Sequence, residues 1–241
     1  MGTMGYTLSG IDYSTDKGAK RSSGDAAPLD CRGRFVHGLL GAVLAGGGSR
    51  RFGSPKALAL LHGKPLWKVA AERLGAVCDD VVAIASDLEV ASAIGIETIP
   101  DRCVPMGPLG GIDAALARAV RTGHDATLVL AVDMPWVGTK ALNRLAEAWR
   151  EHDRTVLPLA GSPWGFEPLC GIYPVRALTP LGEALANRRL EVGAFARGLD
   201  PTVIDTGLQQ ACYRSVNRPA DLPSRCASDE PTRIRHCSGR P

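Results

Sequence analysis

The sequence predicts an α/β fold: a mostly parallel sheet with helices on both faces. Three observations predict it. Short apolar runs of strand length alternate with segments whose apolar residues recur at helical spacing. That βαβα order requires crossover connections, which make neighbouring strands parallel and cover both faces of the sheet. The first apolar run breaks into glycines and then cations, LAGGGSRRFGSPK over 44–56. Such sheets bind ligands beyond the carboxyl ends of their strands.

Each element has its own signal. Residues 39–44, LLGAVL, read as a buried parallel strand. Pro65 suits the first turn of a helix, and Leu66, Val69, Ala70 and Leu74 then share one face. Residues 81–85 form a second apolar run, and 96–99 a short third strand ended by Pro100. Ile112, Ala115, Leu116, Ala119 and Val120 make a helical stripe. Residues 127–132, TLVLAV, are the most strand-like run in the chain. Leu142, Leu145, Ala146 and Trp149 form another helix face, and 155–159 and 169–173 read as later strands.

The chain has 241 residues, 45% of them apolar, enough to bury a large core. Residues 1–36 have no apolar period and read as a disordered extension, and 223–241 as a disordered tail. The expected folded unit is therefore 38–222, a single domain. The net charge of +3 is too slight to argue for nucleic acid, and 5% aromatic residues leave few platforms for stacking bases. No run is long and apolar enough to span a membrane, and no apolar signal core opens the chain. The seven cysteines show no paired spacing, which argues against a disulfide scaffold or a zinc site and for a cytoplasmic protein. Cys78 and Cys170 lie in apolar surroundings and read as packing residues. The five histidines show no ligand spacing and read as surface or loop residues.

Several residue types point to phosphate chemistry. Gly46, Gly47 and Gly48 let the backbone approach a ligand closely, with amides turned toward an anion. Ser49, Arg51 and Lys56 follow within a few positions, whereas Arg50 reads as surface. Arg51 and Lys56 are suited to hold phosphates and to stabilise charge on a pentacoordinate phosphorus; the alternative is a pair of solvated cations. The stretch is neither a Walker A loop nor a GxGxxG fingerprint. Asp133 directly follows the TLVLAV strand, where a rigid carboxylate suits Mg2+ shared with nucleotide phosphates; the alternative is a helix N-cap. Gly107 opens the GPLGG turn before the striped helix, either to face a phosphate or a base edge or to make a tight turn. Asp101 either orients a base or ribose or caps a turn. No serine–histidine–aspartate arrangement and no covalent intermediate are indicated.

Taken in order, LAGGGSRRFGSPKAL, GKPLW, GPLGGI, VDMP, GFEPLCGIY and SVNRPADL resemble the molybdenum cofactor guanylyltransferase family. The resemblance spans about 41–222. It implies a Rossmann-like fold of the nucleotide-diphospho-sugar-transferase type, with a nucleotidyltransferase domain over the folded unit. It implies transfer of GMP from GTP to the phosphate of molybdopterin or its molybdenum form, with Mg2+ and release of pyrophosphate. Molybdoenzymes or cofactor-insertion chaperones are the implied further partners. Carried onto matching positions, Leu44, Ala45, Gly46 and Gly47 border the nucleoside, and Arg51 and Lys56 contact phosphates. Asp101 and Gly107 contact the nucleotide, and Asp133 binds Mg2+. Asn217 lies toward the pterin, and Arg188 and Arg189 hold the pterin phosphate or merely end a helix. The chain departs from the family pattern in two places. The asparagines often found after the second strand are absent, and Ser215 and Arg218 stand where Asn and Thr are expected. These departures leave CTP, another phosphorylated acceptor, and a non-catalytic cofactor carrier as rival readings.

Overall fold

The computed structural model describes residues 38–46, 54–101 and 106–222. The expectations for 1–36, for 223–241 and for Gly47, Gly48, Ser49, Arg50 and Arg51 lie outside the described residues. All described residues fall in the compact unit His37–Pro241.

β1 (Leu39–Leu44) is followed by a 3-10 turn at Lys56–Leu58 and a hairpin of β2 (Leu60–Leu61) and β3 (Lys64–Pro65). Then come α1 (Leu66–Gly75), β4 (Asp80–Ile84), α2 (Leu88–Ala93), β5 (Thr98–Ile99) and α3 (Gly107–Thr122). β6 (Ala126–Ala131), α4 (Thr139–His152), β7 (Val156–Pro158) and β8 (Cys170–Pro174) follow. The described chain closes with α5 (Leu178–Ala186), α6 (Val192–Gly198), β9 (Thr202–Ile204) and a segment without strands.

Among the described residues the main sheet has seven strands in the order β5-β4-β1-β6-β8-β7-β9. β1 runs parallel to β4 and β6, β4 to β5, and β7 to β9. Only β8 opposes its neighbours, pairing antiparallel with β6 and β7. An apolar run reads the same in either direction, so the sequence pattern left this sense open. The return from β7 to β8 decides it. That connection folds back on itself through a bridge between Leu159 and Phe166 and a Ser162 Oγ–Phe166 carbonyl hydrogen bond of 2.6 Å. A reversing loop joins antiparallel strands, where a helical crossover would join parallel ones.

Alternation along the strands divides the core into two layers. Leu39 and Val43 of β1 pack with Leu66, Ala70 and Leu74 of α1 and with Leu142, Leu145 and Trp149 of α4. Leu40, Ala42 and Leu44 pack on the other face with Ile112 and Leu116 of α3 and Leu181 of α5. Helices on both faces are what the sequence predicts. Pro65 itself belongs to the hairpin and precedes the helix that starts at Leu66. Val120, counted in the α3 stripe, is exposed.

The polar elements were harder to foresee. α2 exists because Asp87 caps it, accepting from the amides of Glu89 and Val90. His124 is buried, not a surface residue. It follows the left-handed Gly123 that ends α3, and its Nδ1 is 2.7 Å from Thr122 Oγ1. Cys170 is fully buried, and burial raises the Cys78 thiol to about 12, so both behave as packing residues.

Candidate functional site

The carboxyl edge of the parallel strands gathers the residues of interest. Leu44 ends β1 and its carbonyl accepts from Val132, while the Ala45 amide donates to Ile84. These bonds stitch the ends of β1, β4 and β6 together. Leu44 and Ala45 are buried and Gly46 is exposed, so the chain leaves the core there.

Asp133 follows β6 in a turn. The next helix, α4, begins at Thr139 with Gly138 as its N-cap, so Asp133 is not a helix cap. Its backbone carbonyl accepts from the Val216 amide at 2.8 Å. Its Oδ2 lies 3.2 Å from Lys56 Nζ, with only 17% of the lysine and 22% of the aspartate side chain exposed. The same Nζ donates to Asn217 Oδ1 at 3.2 Å. Lys56, Asp133 and Asn217 therefore form one cluster, although the resemblance set Asn217 toward the pterin. Asp133 Oδ1 is buried and has no hydrogen-bond partner among the described residues. A buried carboxylate oxygen without a partner is costly.

The segment carrying Asn217 is held by its own contacts. Tyr213 is buried and its hydroxyl meets Thr206 Oγ1 at 2.5 Å. The amides of Asn217 and Arg218 both donate to Asp221 Oδ2 at 2.8 Å, and these bonds lower the Asp221 carboxyl's affinity for protons. Arg73 of α1 supports the other side of the cluster. Its guanidinium is part-buried and donates to the Pro135 carbonyl at 2.5 Å, fixing the VDMP turn from beneath.

Asp101 follows β5, and its amide donates to Ser86 Oγ at 3.0 Å. Its carboxyl group lies against the first turn of α3. A side chain on Gly110 would collide with it, approaching within 2.9 Å of the Asp101 Cγ. Gly107 opens α3 with φ +62°, a conformation that favours glycine, and open space lies where a Cβ would sit. The residue thus meets the turn requirement at the start of α3.

Arg188 and Arg189 lie beyond the end of α5 and are exposed, with Arg188 at φ +52°. Arg189 lines a groove of about 560 Å3 between α5 and α6, floored by Leu190, Phe195 and Leu199. No described contact joins either arginine to the Lys56–Asp133–Asn217 cluster. Gly47 and Arg51 lie outside the described residues.

One residue near the cluster is given no role by the sequence reading: Glu167, within the GFEPLCGIY stretch that carries part of the resemblance. Its Oε1 accepts from the Leu169 amide at 2.9 Å. Burial raises its carboxyl to about 7, and the like charge of Asp133 adds to the effect. The resemblance marks its stretch as a whole, but no spacing singles out Glu167 within it. The fold alone brings it to the strand end beside Asp133.

Among the described residues, no three His, Cys, Asp or Glu side chains converge as a metal cage. A cation that takes few protein ligands and completes its shell with phosphate oxygens and water needs no such cage. Asp133 Oδ1, buried and unpartnered, and Asn217 Oδ1 are oxygens of the type that Mg2+ prefers. The residues present fit that ion.

Residues 41–200 match the MobA-like NTP transferase domain. The chain is 33% identical to a probable molybdenum cofactor guanylyltransferase of Rhodopirellula baltica, over 76% of this chain and 90% of that protein. It is 38% identical to the Deinococcus radiodurans protein of the same name, over 76% and 92%. Among solved structures it resembles molybdopterin-guanine dinucleotide biosynthesis protein A from Archaeoglobus fulgidus. There the TM-score is 0.63 and the identity 25%, over 76% of this chain and 94% of that one. By its sheet order, its carboxyl-edge residues and these matches, the chain belongs to the MobA-like NTP transferase family, among relatives named molybdenum cofactor guanylyltransferase.

Proposed function

We propose that this nucleotidyltransferase transfers GMP from GTP to the terminal phosphate of molybdopterin or molybdenum-molybdopterin, making the guanine dinucleotide form of the cofactor. The observation that carries the reading is the Lys56–Asp133–Asn217 cluster at the carboxyl edge of the sheet, where one ammonium sits 3.2 Å from two side-chain oxygens. The acceptor phosphate attacks the α-phosphorus in line, the α–β phosphoanhydride bond breaks, and pyrophosphate leaves. Lys56 neutralises phosphate charge as it builds toward the transition state. Leu44, Ala45 and Gly46 border the nucleoside, and Asp101 orients it from above α3. The buried strand ends keep these groups fixed, so catalysis rests on positioning and charge. Mg2+, held by Asp133 with Asn217 at hand, supplies charge neutralisation on the phosphates when bound.

A cytoplasmic location belongs to this reading. The free thiols of Cys78, Cys170 and Cys212 support it, since thiols persist in a reducing compartment. No described helix is long and apolar enough to cross a membrane. Delivery of the product to molybdoenzymes, directly or through insertion chaperones, is part of the same proposal.

The test is pyrophosphate release by the full chain with Mg2+ and molybdopterin or its molybdenum form, comparing GTP, CTP, ATP and UTP. Release with GTP that depends on the pterin is the expected result. Preference for CTP would move the chain to a cytidylyl activity. Nucleotide binding without release would favour another acceptor or a carrier role.

A further inference from the structure

The sheet order divides the carboxyl edge into two halves. Leu44, Ala45, Asp101 and Gly107 gather over β5, β4 and β1, while β8 and β7 lie across β6 from them. Asp133 follows β6, at the seam. If the nucleotide takes the first half, the acceptor takes the second. Two described carboxylates lie at the carboxyl edge of that half: Asp205 after β9, exposed and capping its own turn, and Glu167 ahead of β8, which is half-buried.

Glu167 is firmly held. Its amide donates to the Pro158 carbonyl of β7 at 3.1 Å, and Oε1 accepts from the Leu169 amide at 2.9 Å. The Leu169 carbonyl in turn accepts from Ala131 at the end of β6. Among the described residues no cation pairs with Glu167, and the charge that bears on it is the like charge of Asp133. A half-buried carboxylate without a counter-charge disfavours the fold. A carboxylate so placed at the ligand edge of the sheet is a candidate for accepting from a bound molecule.

We infer that Glu167 is a specificity residue of the acceptor half, accepting the paired N–H donors of a 2-amino-4-oxopyrimidine edge such as a pterin presents. The inference rests on the acceptor assigned under the proposed function. A carboxylate has about four acceptor sites, so the Leu169 amide leaves room for a fork of two donors. Guanine carries the same edge, so the experiment must separate the two sources.

The experiment titrates the full chain, wild type and Glu167→Gln, with a 6-substituted pterin monophosphate and with the matching lumazine, in which oxygen replaces the 2-amino group. GTP and XTP are titrated in parallel. Glutamine keeps the shape and still accepts from Leu169, but turns a donor toward one of the two ligand donors. Wild type prefers the pterin to the lumazine by about 10- to 100-fold. Glu167→Gln loses that preference and binds GTP as wild type does. Glu167→Asp, which keeps the charge, restores part of the preference, whereas a merely structural residue would alter stability and leave the preference intact. An undiminished preference in a folded Glu167→Gln protein overturns the inference. Collapse of the GTP-over-XTP preference instead overturns it by assigning the carboxylate to guanine. Failure of wild type to bind the pterin phosphate at all strikes the acceptor reading itself and is distinct from both.

Discussion

The Lys56 ammonium and the Asp133 carboxylate, 77 positions apart in the chain, meet at 3.2 Å. The pair lies where β1 and β6, adjacent in the sheet, release the chain at their carboxyl ends. The contact engages one Asp133 oxygen, while the other is buried and without a hydrogen-bond partner among the described residues. This division of one carboxylate sets the first two expectations.

Asp133→Asn keeps the shape and removes the charge. Turnover with GTP and molybdopterin should fall by about 100-fold or more, the usual scale for losing one charge-stabilising group. Circular dichroism should be unchanged. Mn2+ binding, followed by electron paramagnetic resonance with GTP present, should weaken in parallel. Wild-type turnover in the folded variant would end the metal assignment.

Lys56→Met keeps the length of the side chain and removes its ammonium. We expect kcat/KM for GTP to fall by about 10- to 100-fold, as charge-assisted contacts of this kind contribute on the order of 1.5–3 kcal/mol. Steady-state kinetics over a range of GTP concentrations gives the answer. An unchanged kcat/KM would make Lys56 a spectator that merely balances Asp133.

Gly110→Ala should separate stability from binding. Alanine favours a helix over glycine by up to about 1 kcal/mol, so α3 should hold or gain stability. The new methyl would meet the Asp101 carboxyl group, with Cγ at 2.9 Å, and push it aside. We therefore expect an unchanged or higher melting temperature together with about tenfold weaker GTP binding by calorimetry, the loss of roughly one hydrogen bond. Wild-type GTP affinity would show that Asp101 only caps the turn.

Glu167 gives a pH signature. Burial raises its carboxyl from the usual 4.5 to about 7, so between those values the folded protein binds more protons than the unfolded chain. Its contribution is therefore fully present below pH 4.5 and is lost as pH rises through about 7. Glu167→Gln removes that loss. The melting temperature of the variant should gain on wild type as pH rises across this window and then run level, by on the order of 2–4 °C per kcal/mol. Melts at closely spaced pH values decide it. A constant offset between the two curves would mean that Glu167 is ordinarily solvated.

Much of the fold was legible because short-range pattern and long-range packing agree. LLGAVL and TLVLAV read as buried strands, and β1 pairs with β6 in register from Leu39–Ala126 to Leu44–Ala131, one residue ahead of the TLVLAV run. The stripes of α1, α3 and α4 each face one core layer. The glycine stretch and Asp133 stood out in the sequence as candidate site residues because strand ends in such sheets are where ligands bind. Other features left no local trace. α5 and α6 are short, and β9 has three residues, too few for a period to emerge. His124 looked like a loop residue because burial depends on what packs over it.

By itself the sequence determined the class of fold, the strand that carries the glycine stretch and the one that carries Asp133. Hydrophobic periodicity is a property of neighbours in the chain, and neighbours suffice to write it. Tertiary structure decided the rest: the reversed sense of β8, the meeting of Asn217 with Lys56, and the presence of Glu167 beside Asp133. Those relationships join residues far apart in the chain. They exist only once hydrogen bonds such as Val216 to Asp133 and Ala131 to Leu169 have closed the loops between them.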